Sequence, residues 1–154
     1  MKHIEINHYA PPTDVKKIKE MLLELDPYIM PRLSGRVDIG SYATKIAKFA
    51  DIFNLEIEGN VVGNLAIYLN SNEGFITSIA ICPKYQRLGY GRKLWERAQE
   101  VAISRKITTI YLEVNKSNAL ALKFYFGLGF QIEMEKNNWI RMQKVLREGK
   151  KCQK

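Results

Sequence analysis

Gly89 and Gly91 stand in a short basic stretch between a strand-like run and a helical one. The strand-like run covers residues 75–81, breaks at Pro83, and regular structure resumes at about Arg92. Glycines in such a loop let the backbone approach a ligand and turn several N–H groups one way. The helix that follows adds its own unpaired N–H groups and the positive end of its dipole. The chemistry this can do is to hold an anion, most often phosphate. Lys84, Arg87, Arg92 and Lys93 bracket the loop, which suits a small polyanionic ligand. No Walker string G-x-x-x-x-G-K-[ST] occurs. The dinucleotide fingerprint G-x-G-x-x-G fits only in part. Gly89 and Gly91 are spaced for it and Glu113 lies where a ribose-binding acid would stand, but Leu94 replaces the third glycine. Residues 82–88 also separate the strand from the first glycine, where a dinucleotide turn allows almost none.

Other chemical constellations are absent. Cys82 and Cys152 make no disulfide framework and are expected as free thiols, with Cys82 a packed thiol rather than a nucleophile. His3 and His8 lack the spaced partners of a metal site, so no metal is expected. The chain of 154 residues reads as one domain, residues 1–146, followed by a basic and flexible tail, residues 147–154. A hydrophobic content of 46% and a charged content of 26% suit a soluble globular protein. No membrane-length apolar run and no export signal are read, so a cytoplasmic protein without a membrane partner is expected. The net charge of +8 suggests nucleic acid at first sight. The charge is concentrated in the tail and around the glycine loop, and few aromatics interleave with it, so no nucleic-acid partner is expected.

The elements that must position the loop follow from periodicity. Ile4 and Ile6 begin a short strand. Thr13 is the expected cap of a helix with Val15, Ile18, Met21, Leu22 and Leu25 on one face, ended by Pro27 and Pro31. Residues 32–36 read as a polar loop, and a second helix carries Ile39, Tyr42, Ile46, Phe49 and Ala50 on one face. A hairpin is expected over residues 52–57 and 61–69, turning at Glu58-Gly59-Asn60. After the loop, Leu94, Ala98, Val101 and Ala102 mark a helix to about residue 105, and residues 108–114 a strand. Residues 115–118 offer N-caps for a helix to Phe126, stopped by Gly127 or Gly129. Residues 130–135 and 139–144 make a closing hairpin. The fold class is α/β, a mixed sheet of about seven strands with about four helices.

With these elements in place the chain resembles the GCN5-related N-acetyltransferase (GNAT) family. Gln86-Arg87-Leu88-Gly89-Tyr90-Gly91 fits the family's loop [Q/R]-x-x-G-x-[G/A]. A second block, Leu112-Glu113-Val114-Asn115, then Asn118, Tyr125 and Gly129-Phe130, also fits, and the element order matches over residues 3–146. The resemblance implies a single-domain GNAT-like fold with a splayed central strand pair and acetyl-CoA as co-substrate. It assigns the pyrophosphate to the N–H groups of residues 87–92: Arg87, Leu88, Gly89, Tyr90, Gly91 and Arg92, with Gln86 opening the motif. Backbone groups of Ile79, Ala80 and Ile81 would pair with the pantetheine arm, and Asn118 would hydrogen-bond it.

Transfer in the family is usually direct, without an acyl-enzyme. The amine must be neutral, the carbonyl oxygen needs donors, and the leaving thiolate needs a proton. The resemblance makes Glu113 the base. It lies between apolar Leu112 and Val114 and points to the opposite side, in a setting expected to be sheltered enough to raise its pKa. An ion pair on the sheet face, or a water held by backbone carbonyls as base, is the alternative. The resemblance makes Tyr125 the acid. It stands two helical turns after Asn118, and a phenol suits protonating a thiolate. A core aromatic beside Phe124 and Phe126 is the alternative role.

The acceptor expected is the primary amine of a small molecule. Leu33-Ser34-Gly35-Arg36-Val37-Asp38 resembles GNAT proteins of surface-polysaccharide synthesis and tilts this towards an amino sugar. A protein N-terminus or lysine is the alternative acceptor, and a non-catalytic acyl-CoA-binding module the third reading. Glu24, Asp26, Asp38 and Glu135 are candidate holders of a cationic acceptor, and a homodimer is left open.

Overall fold

The computed structural model describes residues 2–29, 33–35 and 37–146. The expected tail, Cys152, Pro31, Arg32 and Arg36 lie outside them. Seven strands, β1 (Ile4–Tyr9), β2 (Ala50–Ile57), β3 (Asn60–Tyr68), β4 (Glu73–Ile81), β5 (Thr109–Asn115), β6 (Gln131–Lys136) and β7 (Trp139–Val145), form one sheet. Their order is β1-β2-β3-β4-β5-β7-β6. Every neighbouring pair is antiparallel except β4 and β5, which are parallel. Among the described residues four α-helices complete the mixed α/β fold: α1 (Val15–Leu25), α2 (Ile39–Phe49), α3 (Tyr90–Ser104) and α4 (Ala119–Gly127).

Period-2 alternation along the central strands separates two cores. Ile52, Ala66 and Ala80 face α1 and α2, meeting Ile18, Met21, Leu22, Leu25, Ala43, Ile46 and Ala47. Phe53, Leu55, Leu65 and Ile67 face the other way, towards Leu94, Trp95, Ala98 and Ala102 of α3 and Tyr125 of α4. Each Ile, Leu, Met or Phe side chain buried in this way contributes about 1.5–3 kcal/mol, and each alanine less.

Local details depart from expectation at the caps. Asp14, not Thr13, caps α1, accepting from the N–H groups of Lys16 and Lys17 at 2.9 and 3.3 Å. Asp14 stands at the Ncap itself, while both the N–H and the hydroxyl of Thr13 donate to the Ala47 carbonyl. Ala50 opens β2 rather than closing α2, and Phe49 is exposed. Pro27 falls inside a 3-10 turn, Asp26–Tyr28, that prolongs α1. Helix α3 begins at Tyr90, two residues before the expected start. At the end of α4, Gly127 is still helical, and Gly129 takes the left-handed conformation at φ +98°.

One irregularity shapes the centre. β4 and β5 are in register only for Glu73–Thr109, Gly74–Ile110 and Phe75–Tyr111, although β4 runs on to Ile81 and β5 to Asn115. On its other side β4 stays paired with β3, with a bulge in which Thr77 is the extra residue between Ile76 and Ser78. A bulge bends its strand and increases local twist, so β4 turns away from β5 at this point. The Tyr42 hydroxyl of α2 bridges to Thr77, donating to its carbonyl at 3.0 Å and lying 2.5 Å from its Oγ1.

Candidate active site

The parting of β4 and β5 opens a cleft of about 890 Å³. Its walls include Thr77, Ile79, Ala80 and Ile81 of β4, Glu113 and Asn115 of β5, Asn118 and Tyr125 at α4, and Gln86, Arg87, Gly89, Gly91 and Arg92 of the glycine loop. From Ile76 onward the β5-facing edge of β4 has no strand beside it, so its backbone groups face the cleft as a row of donors and acceptors.

The loop is built to present N–H groups. Gly89 lies at φ +86°, ψ 4° and opens α3 without any side-chain cap. The first intrahelical bond runs from Lys93 N–H to the Gly89 carbonyl at 3.2 Å, which leaves the N–H groups of Tyr90, Gly91 and Arg92 outside the ladder. No acidic residue stands in the first turn, and Arg92 and Lys93 do. Cations there oppose the helix dipole, an arrangement that becomes favourable only with an anion at the helix start. A phosphate-bearing cofactor fits this donor set.

The loop's side chains divide their work. Gln86 Nε2 donates to the Ile81 carbonyl at 2.7 Å, tying the loop to the end of β4. Arg92 Nη2 donates to the Gly127 carbonyl at 3.0 Å, joining α3 to the end of α4 while lining the cleft. Arg87 adopts a positive φ of 63°. Leu88 and Tyr90 are the two members of the motif whose side chains do not line the cleft. Leu88 is exposed and Tyr90 packs on the core, so they can serve an anion only through backbone.

Tyr125 is 7% exposed, edge-on to Phe124 and Phe130 at ring-centroid distances of 5.2 and 5.8 Å. Burial pushes its phenol well above the ordinary value, so at neutral pH it holds its proton. Asn118 Oδ1 accepts from the Ala121 N–H at 3.1 Å and caps α4. Glu113 does not have the sheltered setting expected for it. Its side chain is 51% exposed on the sheet face opposite Leu112 and Val114, with Arg141 Nη1 at 3.8 Å from Oε2.

The candidate acidic holders of an acceptor are otherwise engaged. Asp38 caps α2 through the Ser41 N–H and hydroxyl, at 3.0 and 2.8 Å. Asp26 is buried and accepts from the Ser34 N–H at 2.9 Å, and Glu135 pairs with Lys116 at 3.2 Å. Glu24 does not line the cleft. Cys82 is half-buried, is not a cleft residue, and burial raises its thiol. Among the described residues no group of three or more His, Cys, Asp and Glu could hold a metal. No described helix is long and apolar enough to cross a membrane.

Cleft residues that sequence reasoning missed include Thr77, Lys123 and Trp139. A bulge such as that at Thr77 leaves no local signal. Lys123 could have been found from its place on the helix that carries Asn118 and Tyr125.

The sequence pattern of the acetyltransferase (GNAT) family matches residues 20–130. The chain belongs to that family. Among curated GNAT relatives, [ribosomal protein bS18]-alanine N-acetyltransferase of Escherichia coli K12 is 33% identical over 87 residues, 56% of this chain and 59% of the relative. The chain thus matches 59% of the length of that relative. Among solved GNAT structures, the ribosomal-protein-S18-alanine N-acetyltransferase of Escherichia coli superposes with a TM-score of 0.76 at 20% identity, covering 100% of this chain and 99% of that one. The PaiA N-acetyltransferase of Thermoplasma acidophilum, solved in complex with coenzyme A, superposes with a TM-score of 0.73 at 17% identity over 93% of this chain and 99% of its own. At these identities the two structures show a common GNAT fold.

Proposed function

We propose that the protein is an N-acetyltransferase that moves the acetyl group of acetyl-CoA to a primary amine by direct attack. The observation that carries this reading is the β4–β5 cleft, walled by an uncapped helix start, a carboxylate and a buried phenol. When bound, acetyl-CoA supplies an activated thioester and a thiol leaving group. The N–H groups of Tyr90, Gly91 and Arg92 and the cationic side chain of Arg87 hold its phosphates. The open edge of β4 at residues 79–81 pairs with its amide-rich arm as an added strand would, and Asn118 holds the arm from the start of α4.

Glu113 removes the proton that the incoming amine must lose, through a bridging water, because its carboxylate is exposed and lines the cleft. Tyr125 gives a proton to the departing sulfur. A phenol is protonated at neutral pH and so has a proton to give. No covalent intermediate is needed, and Cys82 lies off the cleft.

Two acceptor classes share this chemistry: the small-molecule amine expected from the sequence, and the α-amine of a polypeptide. Similarity to an enzyme named for acetylating an alanine of ribosomal protein bS18 supports the second. Free CoA release with acetyl-CoA and two acceptor panels tests both: small amines including amino sugars, and short peptides beginning with alanine. Release on a panel is expected, and the panel with the higher kcat/KM names the class. Acetyl-CoA binding with release on neither panel would overturn the transferase reading in favour of an acyl-CoA-binding module.

A further inference from the structure

Beside Glu113 lies a charged group to which the transfer chemistry gives no role. Arg141 of β7 stands directly across from Glu113 in the β5–β7 register, with Nη1 3.8 Å from the Glu113 carboxylate. Its Nε is nearer a second carboxylate, 3.3 Å from Glu133 Oε1. Its guanidinium also lies over the Tyr111 ring, 4.3 Å from the centroid. Glu133 reaches it through a bulge. β6 pairs Ile132 with Met142 and Met134 with Arg141, which leaves Glu133 as the extra residue and re-aims its side chain. One cation is therefore shared by two carboxylates. Its plane is set by an aromatic face, and it stands nearer the carboxylate that is not in the main cleft.

We propose that Arg141 is a positioning residue for Glu113, and that Glu133, by drawing on the same guanidinium, sets the direction of the Glu113 carboxylate. Glu113 as the base in transfer is the reading on which the catalytic consequence rests. The charged and titratable groups around Glu113 are Arg141 from β7, Lys136 from β6 and Tyr111 from its own strand, with Lys123 and Tyr125 of α4 and Arg87 and Arg92 of the glycine loop lining the same cleft; Glu133 acts through Arg141. The next pair along the sheet, Lys116 with Glu135 at 3.2 Å, is mutually neutralised. The signs follow from the charges. Removing Arg141 takes away the neighbouring cation, so the midpoint read in Arg141→Gln should rise above that of wild type. Removing the charge of Glu133 leaves Arg141 to Glu113 alone, so the midpoint read in Glu133→Gln should fall below that of wild type.

The test is a carbon-13 side-chain carboxyl NMR titration of Glu113 in wild type, Arg141→Gln and Glu133→Gln, beside pH profiles of kcat/KM. Opposite shifts of about half a pH unit are expected, the scale of a part-exposed ion pair, with the acid limb of the rate profile following each. Shifts in the same direction, or midpoints moving by less than about 0.1 unit, overturn the proposal. Opposite carboxyl shifts that the rate profiles ignore uphold the assignment to Arg141 and Glu133 and remove Glu113 as the base. Should Arg141→Gln fail to fold, Glu133→Gln decides alone: a downward shift supports the proposal and an unmoved midpoint overturns it.

Discussion

Tyr125 packs in the core and also faces the cleft, and the two roles separate under one substitution. Tyr125→Phe keeps the ring between Phe124 and Phe130, so CoA affinity should stay within a factor of about two while turnover falls about 10²-fold, the usual scale for a lost general acid. Steady-state kinetics beside a CoA titration checks this, and wild-type turnover would leave the tyrosine a core residue alone. For Glu113 the diagnostic is pH. Glu113→Gln should lose rate most at neutral pH and recover partly at high pH, where the amine deprotonates itself. A profile overlaying wild type would assign the base to an ordered water. Both side chains were singled out by the resemblance of their sequence block to the GNAT family. Their settings were not legible, because the exposure of Glu113 and its cation depend on strand partners that lie far along the chain.

At the scale of the element, the two loop glycines differ in physical reason. A Cβ on Gly89 would meet nothing within 4 Å, so the constraint there is the left-handed backbone at φ +86°. Gly89→Val should distort the N–H cradle and weaken CoA binding at least tenfold with little change in melting temperature, since β-branched residues strongly disfavour that region. A Cβ on Gly91 would come within 3.0 Å of the Phe124 ring, so its constraint is the close approach of α3 to α4. Gly91→Ala should displace Phe124 and so lower both stability, by about 1 kcal/mol, and CoA affinity. Calorimetry with binding isotherms on the two variants reads the contrast, and identical profiles would contradict it. Gln86-Arg87-Leu88-Gly89-Tyr90-Gly91 announced the cradle, because a loop of glycines before a helix is a local device. Thr77 announced nothing, because a bulge is defined by the strand opposite.

The whole molecule should show the burial of its tyrosines as alkaline instability. In the unfolded chain tyrosine ionises near about pH 10. Burial raises Tyr125 above that, and desolvation pushes Tyr68 up to about 12. Above the unfolded value the unfolded chain binds fewer protons than the native one, so stability falls as pH rises. The limiting slope is about 1.4 kcal/mol per pH unit for each fully buried group. Urea midpoints between pH 8 and about 11 should therefore fall less steeply in Tyr125→Phe than in wild type. Parallel slopes would mean that the phenol is not desolvated in the native state.

Sequence alone determined what is local: the order of strands and helices, the apolar faces of α1 and α3, the glycine loop that opens α3, and the block carrying Glu113, Asn118 and Tyr125. Periodicity, turn residues and motif spacing act over a few residues, so they are readable along the chain. Tertiary structure decided what is non-local. The three-residue register of β4 with β5 opens the cleft, and the β5–β7 pairing puts Arg141 against Glu113. The bulge in β6 brings Glu133 to the same cation, and the packing of α3 on α4 makes Gly91 necessary. Each of these depends on which distant segments meet and in what register, and that is set when the sheet closes over its two cores rather than by any one segment's own preferences.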